Sequence, residues 1–489
     1  MFETAELGRS LEKDVFDKRA TELRTALLEA QRQLAEASFS TLIVIGGVDK
    51  AGKGEVLNRL FEWLDARGLT SFATEEPSSD ERERPEYWRY WMALPERGRI
   101  GVFLGGWYTL PIERYAAGEI TEAEFDAELR RAAIFERKLV EDGALVIKVW
   151  LHVSKKQQKK RLEKLEAAKE TSWRVSKRDW KRHRAYDDLR NAAERAIRET
   201  STGAAPWTVI ESADDRFRDV SVAEHVLTRI RAHLEAPTPP TKGQPASPDT
   251  PNPDTILDRL DLKLSLDKQS YENALDRWQN RLAKLARKVG NESRGVILVF
   301  EGSDAAGKGG AIRRITRTLD ARQYRVIPVA APSDEERAHH YLWRFWRHLP
   351  RLGKFTIYDR SWYGRVLVER VEGFAHESAW RRAYSEINDF EAQLIERGNI
   401  VVKFWLQISA EEQLARFKAR EAEPWKQFKI GPDDYRNRAK SNAYEAAAEE
   451  MFARTSTQVA PWTLVEAEDK RYARVKVLET LCQRIEAAL

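Results

Sequence analysis

The chain has 489 residues, a formal net charge of +5, 42% hydrophobic and 33% charged residues, and a single cysteine, Cys482. That length exceeds one typical hydrophobic core and predicts more than one domain. One thiol excludes an internal disulfide framework or a cysteine metal cluster, and no apolar run approaches the ~20 residues that span a bilayer, so the expectation is a cytoplasmic protein with no membrane partner. In chain order, the opening segment MFETAELGRSLEKDVFDKRA is charged throughout and has no apolar stretch of the kind that marks a secretory leader. A glycine-rich segment, GGVDKAGKGE, follows at residues 46–55, and a block dense in lysine and arginine runs from Lys155 to Arg184. Such a block attracts a polyanion or simply forms a solvated helix face; composition alone leaves both open.

Glu235–Thr255 (EAPTPPTKGQPASPDTPNPDT) is rich in proline, serine and threonine and nearly lacks bulky apolar residues, which predicts an extended connector. It divides the chain into 1–234 and 256–489, joined by a linker at 235–255. Beyond it, an amphipathic helix over Tyr271–Val289 precedes an apolar strand at Val296–Phe300. The glycine-rich segment EGSDAAGKGG and a helix to about Leu319 come next, and short buried strands are expected at Tyr324–Val329, Lys354–Tyr358 and Ile400–Leu406. Trp343 and Trp346 have the spacing of helix residues packed in a core. Strands alternating with helices predict a parallel sheet covered on both faces, an α/β fold.

The halves are copies of one another. A constant shift of 255 residues aligns Gly47 with Gly302, Lys53 with Lys308, Trp107-Tyr108 with Trp362-Tyr363, and Ala205-Pro206-Trp207 with Ala460-Pro461-Trp462. A unit this long is a duplicated domain, not a solenoid repeat.

Strand, glycine loop, helix is an arrangement that binds phosphate. Glycines let backbone N–H groups turn inward, the helix start adds partial positive charge, and the lysine reaches a phosphoryl oxygen. Gly302, Gly307, Lys308 and Gly309 form this cradle in the second half, and Asp49, Gly52, Lys53 and Gly54 belong to its counterpart in the first. Where such loops place a hydroxyl on Mg²⁺, this chain has Gly309 and Gly54, so a metal would need other oxygens. Asp304, inside the loop, and Asp359, closing an apolar strand beside Arg360, are the candidates; at such a strand end a carboxylate either meets a ligand or caps a helix.

At these residues the chain resembles the polyphosphate kinase 2 family of thymidylate-kinase-like P-loop enzymes. The resemblance is carried by EGSDAAGKGGAI (Glu301–Ile312), YDRSWYGRVLVERVEGF (Tyr358–Phe374), EPWKQF (Glu423–Phe428) and TSTQVAPWTLV (Thr455–Val465). It implies a tandem of three-layer α/β/α domains, each with a parallel sheet and a helical basic lid, and is nearest to the subgroup that phosphorylates AMP to ADP. It also implies inorganic polyphosphate and a nucleotide, AMP foremost, as partners, with Mg²⁺ (or Mn²⁺ in its place) as cofactor. By resemblance Asp304 and Asp359 hold the metal, Lys308 and the loop amides bind phosphoryl oxygens, and Arg360 offsets charge in transfer. Glu369 either supports a second metal or is a surface helix carboxylate. The lid region, Ser409–Tyr444, carries Arg416 and Lys426, which with Arg471 are expected on the phosphate track. A homo-oligomer is compatible with this architecture; no nucleic-acid motif accompanies the basic runs, and no nucleic-acid partner is expected.

One difference separates the halves: residues 359–363 read DRSWY but residues 104–108 read LGGWY. Leu104 and Gly105 stand where the metal ligand and the arginine should be, so the first half is expected to be catalytically degenerate.

Overall fold

The computed structural model describes residues 1–237, 240–250 and 254–489, without the side chain of Lys429. They group into two compact units, one of Met1–Glu76, Arg89–Pro239 and Asp334–His340, the other of Pro77–Trp88, Pro240–Ser333 and Tyr341–Leu489. Each unit carries one five-stranded parallel sheet flanked by helices.

The first sheet contains β1 (Thr41–Gly47), β2 (Leu69–Ala73), β3 (Ile100–Leu104), β4 (Leu145–His152) and β5 (Trp207–Glu211), in the order β2-β3-β1-β4-β5. The second contains β6 (Gly295–Gly302), β7 (Tyr324–Pro328), β8 (Phe355–Asp359), β9 (Asn399–Gln407) and β10 (Trp462–Glu466), and repeats that order as β7-β8-β6-β9-β10. The expected strands are all present within two residues. The edge strands β5 and β10 had no expectation attached, because five residues ending in glutamate do not make an apolar run.

Alternation along β6 builds the core. Val296, Leu298 and Phe300 join Leu282 and Leu285 of the helix Lys268–Asn291, and Val477, Leu478 and Leu481 of the helix Lys470–Ala488, in one buried cluster. Ile297 and Val299 point to the opposite face and are equally buried. Trp343 and Trp346 are buried as their spacing predicts, and the Trp346 ring stands 5.0 Å from that of Phe390.

What matters for function is the crossover at β6. Its neighbours β8 and β9 lie on opposite sides, so the chain reverses its winding there, and ligands collect at the carboxyl ends of such strands. Phe300 pairs with Asp359 in register, which sets the end of β8 beside the glycine loop; Ile45 pairs with Leu104 in the same way.

The connector is not free along its middle. The Gly243 N–H donates to the Gly373 carbonyl at 3.0 Å, the Ala246 N–H to that of Val371 at 2.8 Å, and the His376 N–H to that of Thr241 at 3.1 Å. Gly373, at φ +69°, makes room for this: a β-carbon there would meet the Pro245 nitrogen at 2.7 Å. Backbone bonding of this kind leaves no side-chain signature, so an extended connector was the expectation. Residues 238–239 and 251–253 of it lie outside the described residues.

Candidate active site

The loop of the second half is shaped by two glycines. Gly302 has φ +131°, and a β-carbon on it would meet the Leu406 carbonyl oxygen at 2.2 Å; Gly307, at φ +108°, caps the helix Lys308–Thr316. Gly309 differs, since nothing lies within 4 Å of a β-carbon placed there. The fold does not forbid a side chain at that position, and its absence leaves the loop backbone open to close approach.

Around the loop, charged groups interlock. Lys308 Nζ donates to the carbonyls of Gly302 at 2.8 Å and Ser303 at 3.2 Å. The Asp304 carboxylate accepts from Arg360 Nη2 at 2.9 Å and from Asn437 Nδ2 at 3.0 Å. Burial pushes the Asp304 carboxyl up, but Lys308, Arg360 and Asn437 outweigh it and hold the group below its ordinary range. Lys308 is pushed down by its own burial against the opposing pull of Asp304. Asp359 ends β8, half-buried, and its charge is felt by both Lys308 and Arg360.

Arg360 sits at φ +64°, a left-handed conformation that costs a non-glycine residue energy. Its N–H donates to the Phe300 carbonyl at 3.0 Å, tying the strained turn to the loop strand. Next to it the Ser361 hydroxyl donates to Glu301 Oε1 at 2.8 Å; burial raises the Glu301 carboxyl above its usual value, with Ser361 and Lys308 opposing.

Trp362 and Tyr363 serve the scaffold. Glu391 Oε1 accepts from Trp362 Nε1 at 3.1 Å and from the Tyr363 hydroxyl at 2.7 Å, while Lys403 Nζ donates to Glu391 Oε2 at 2.8 Å and to the Thr455 carbonyl at 2.8 Å. The first half repeats the network with Glu136, Trp107, Tyr108, Lys148 and Thr200. A fully buried ion pair survives when every donor and acceptor is used, as here. This explains why WY persists in both halves while the residues before it diverge.

Two expected residues have protein partners of their own. Arg416 is buried and commits all its N–H groups. Nη1 donates to the carbonyls of Ala305 and Ala306 at 3.0 and 3.1 Å, Nη2 to those of Ala467 and Glu468 at 2.9 and 2.8 Å, and Nε to Glu412 at 2.5 Å. It braces the loop from beneath instead of lining a phosphate track, and Arg161 does the same on Lys50, Ser212 and Ala213. Glu369 pairs with Arg365 at 3.1 Å, and among the described residues no three carboxylate, histidine or cysteine groups converge as a metal cluster. Arg471 donates to the Leu266 carbonyl at 3.4 Å, and Lys426 pairs with Glu423 at 2.5 Å.

The structure adds cations that the sequence reading missed. Arg474 Nη2 lies 3.6 Å from where a β-carbon of Gly310 would stand, beside the start of the loop helix. Lys470, one turn earlier, is held below the usual lysine range by partial burial and by Arg416, Arg474 and Lys426, which marks a local concentration of positive charge. The signal was present: at the same shift the first half has Asp215 and Asp219.

In the first half the loop aspartate is paired by a different side chain. Arg182 pairs with both Asp49 and Glu113, taking the places of Arg360 and Asn437 together. Gly105 keeps the left-handed turn at φ +78°, but a β-carbon on it would meet Thr109 Oγ1 at 2.0 Å, where the second half has Gly364. Gly46 and Gly106 replace the hydrogen-bonded pair Glu301 and Ser361, so both partners are absent together.

A glycine loop at the switch point of a parallel sheet, with an aspartate–arginine turn beside it, defines a tandem P-loop, kinase-like α/β protein, and comparison with known proteins narrows this. The chain matches the polyphosphate kinase 2 (PPK2) family over residues 10–237 and 265–489, and it belongs to that family. It is 51% identical to a polyphosphate:AMP phosphotransferase of Pseudomonas aeruginosa over 100% of this chain and 99% of that one. Identity to a polyphosphate:AMP phosphotransferase of Pseudomonas syringae pv. tomato is 47%, at the same coverage. A solved structure described as a polyphosphate kinase 2 from Pseudomonas aeruginosa PA01 superposes with a TM-score of 0.89 at 48% identity, covering 100% of this chain and 99% of that one.

Proposed function

We propose that this chain moves the terminal phosphoryl group of inorganic polyphosphate to AMP, giving ADP, and that the second half does so. The observation that carries the reading is the turn at Asp359-Arg360. A strained arginine and a strand-end carboxylate are held against an intact phosphate loop in one half and are missing from the other. The full-length relatives that bear the name polyphosphate:AMP phosphotransferase supply the substrates.

In the transfer, a phosphate oxygen of AMP attacks the terminal phosphorus of the chain. The bond from that phosphorus to its bridging oxygen breaks, and the polyphosphate leaves one unit shorter. Such transfers need alignment and charge neutralisation more than covalent help. Lys308 and the amides of 307–309 hold the moving group, and Arg360 lies beside Asp304 to offset charge on it. Lys470 and Arg474 attract the polyanion toward the start of the loop helix. The donor set suits Mg²⁺, a hard cation that takes carboxylate and phosphate oxygens. Asp304 and Asp359 would hold it, and when bound it would neutralise phosphoryl charge. Among the described residues no helix is long and apolar enough to cross a membrane, and we retain the cytoplasm as the expected location.

The test is to incubate the purified protein with long-chain polyphosphate and Mg²⁺ together with AMP, ADP, GMP or GDP separately. ADP formed from AMP, abolished by EDTA and restored by Mg²⁺, is the expected outcome. No nucleotide product from polyphosphate, alongside transfer from ATP, would overturn the reading.

A further inference from the structure

A chain of polar contacts ties the lid of the second half to its glycine loop. Asn437, on the helix Pro432–Ala439, donates from Nδ2 to Asp304 at 3.0 Å and accepts at Oδ1 from the Tyr444 hydroxyl at 3.3 Å. A hydroxyl donating to that oxygen settles which end of the amide faces Asp304. The same hydroxyl lies 3.5 Å from Glu372 Oε1. Glu372 Oε2 accepts from Lys440 Nζ at 2.9 Å and pairs with Arg436 Nε at 3.3 Å. Lys440 stands between the lid helix and the helix Ser441–Thr455, which is anchored by buried Ala447, Ala448 and Met451. Glu372 therefore grips the point where the lid leaves the body of the fold. Both it and Lys440 are buried, so salt screens the pair little.

The first half separates this chain of contacts from the scaffold. At the shift of 255, Glu372, Asn437, Lys440 and Tyr444 become Ala117, Arg182, Ala185 and Leu189. The framework around them is the same. Gly118 and Gly373 share a left-handed turn at φ +70° and +69°, and the helix Tyr186–Thr200 matches Ser441–Thr455. Gln158 and Gln413 each donate to the carbonyl of the loop aspartate, at 3.1 and 3.2 Å. Four linked residues are thus replaced together in the half that lacks Asp359 and Arg360. Folding does not require them, since the first half builds the same elements with alanines at the positions of Glu372 and Lys440. A buried ion pair is also poor evidence for a stabilising role by itself. What the pair does specify is where the lid helix sits.

We propose that Glu372 is a positioning residue for phosphoryl transfer: with Lys440 and Tyr444 it fixes the lid helix and keeps Asn437 on Asp304. The inference deepens the activity proposed above and rests on it for its kinetic consequence. The test installs the first half's residues, Glu372→Ala with Lys440→Ala, in the full chain. Denaturation should stay close to that of the unaltered protein. Amide hydrogens of 432–439 should exchange roughly tenfold faster, and kcat for ADP formation at saturating polyphosphate and AMP should fall about ten- to a hundredfold. A merely structural role would leave kcat and lid exchange untouched once the protein is folded. Tyr444→Phe, which removes one hydroxyl and keeps the ring, should lower kcat about fivefold; it keeps the test informative if the double variant fails to fold, which circular dichroism would report. Unchanged kcat and unchanged lid exchange in the folded variants would overturn the inference. If the unaltered chain makes no ADP from polyphosphate and AMP, the activity reading fails, and lid exchange alone decides whether Glu372 holds the helix.

Discussion

The two glycine loops share a backbone and differ in what surrounds it. Lys50 and Ala305 adopt the same left-handed conformation at φ +63° and +64°, Lys53 and Lys308 fold onto the same carbonyl, and Arg161 and Arg416 brace both loops from below. The divergence lies in the charges facing the loop. The second half aims Arg360 at Asp304 and gathers Lys470 and Arg474 near its helix start. The first half covers Asp49 with Arg182 and turns the two cations into aspartates that hold Arg218. Duplication preserved the residues that build each loop and let those facing it diverge.

Transplanting the first half's residues into the second should have the largest effect. Asp359→Leu with Arg360→Gly is expected to lower kcat for ADP formation by roughly 10³-fold or more, since on the proposed mechanism it removes both a carboxylate that would hold Mg²⁺ and a charge-neutralising arginine. The reverse exchange, Leu104→Asp with Gly105→Arg, should restore nothing, because Thr109 occupies the space an arginine needs; steady-state rates measure both. Next comes charge: Lys470→Asp with Arg474→Asp should raise KM for polyphosphate by roughly ten- to a hundredfold at low salt, with kcat for AMP little changed. An unchanged KM would remove these cations from the polyphosphate path.

Smaller effects test the scaffold. Arg416→Met and Arg161→Met should each cost about 2–4 kcal/mol in chemical denaturation, because several carbonyls lose their donor at once. Equal losses in the two halves mark a brace; a change confined to the KM of Arg416→Met would return it to the phosphate track. The smallest effect is in pH. The folded-state pKa of Asp304 lies below its ordinary value, so its contribution to stability is fully present above about pH 4 and lost as pH falls through the lowered value. Asp304→Asn should therefore flatten the acid side of the stability profile and leave its neutral slope unchanged.

Much of this was legible in the sequence because it rests on residue identity at a fixed shift: the duplication, both loops, the loss of Asp359-Arg360 and the inner strands. Partner choice was less legible. Arg416 reads as one more cation among many, and only the fold shows its donors taken by carbonyls. Glu369 is ten residues beyond Asp359, yet its carboxylate pairs with Arg365 of the preceding turn. Lys470 and Arg474 belong to a long helix far along the chain, and sheet order alone brings its first turn to the loop. The docked connector is held by backbone groups, which every sequence has.

The assignment of catalysis to one half is settled by a pair of rates. Lys308→Ala and Lys53→Ala are assayed side by side with polyphosphate, AMP and Mg²⁺ for initial ADP formation. Lys308→Ala should fall to background, while Lys53→Ala stays within about tenfold of the unaltered chain. Loss of turnover in Lys53→Ala with Lys308→Ala still active would place the chemistry in the first half and contradict the account.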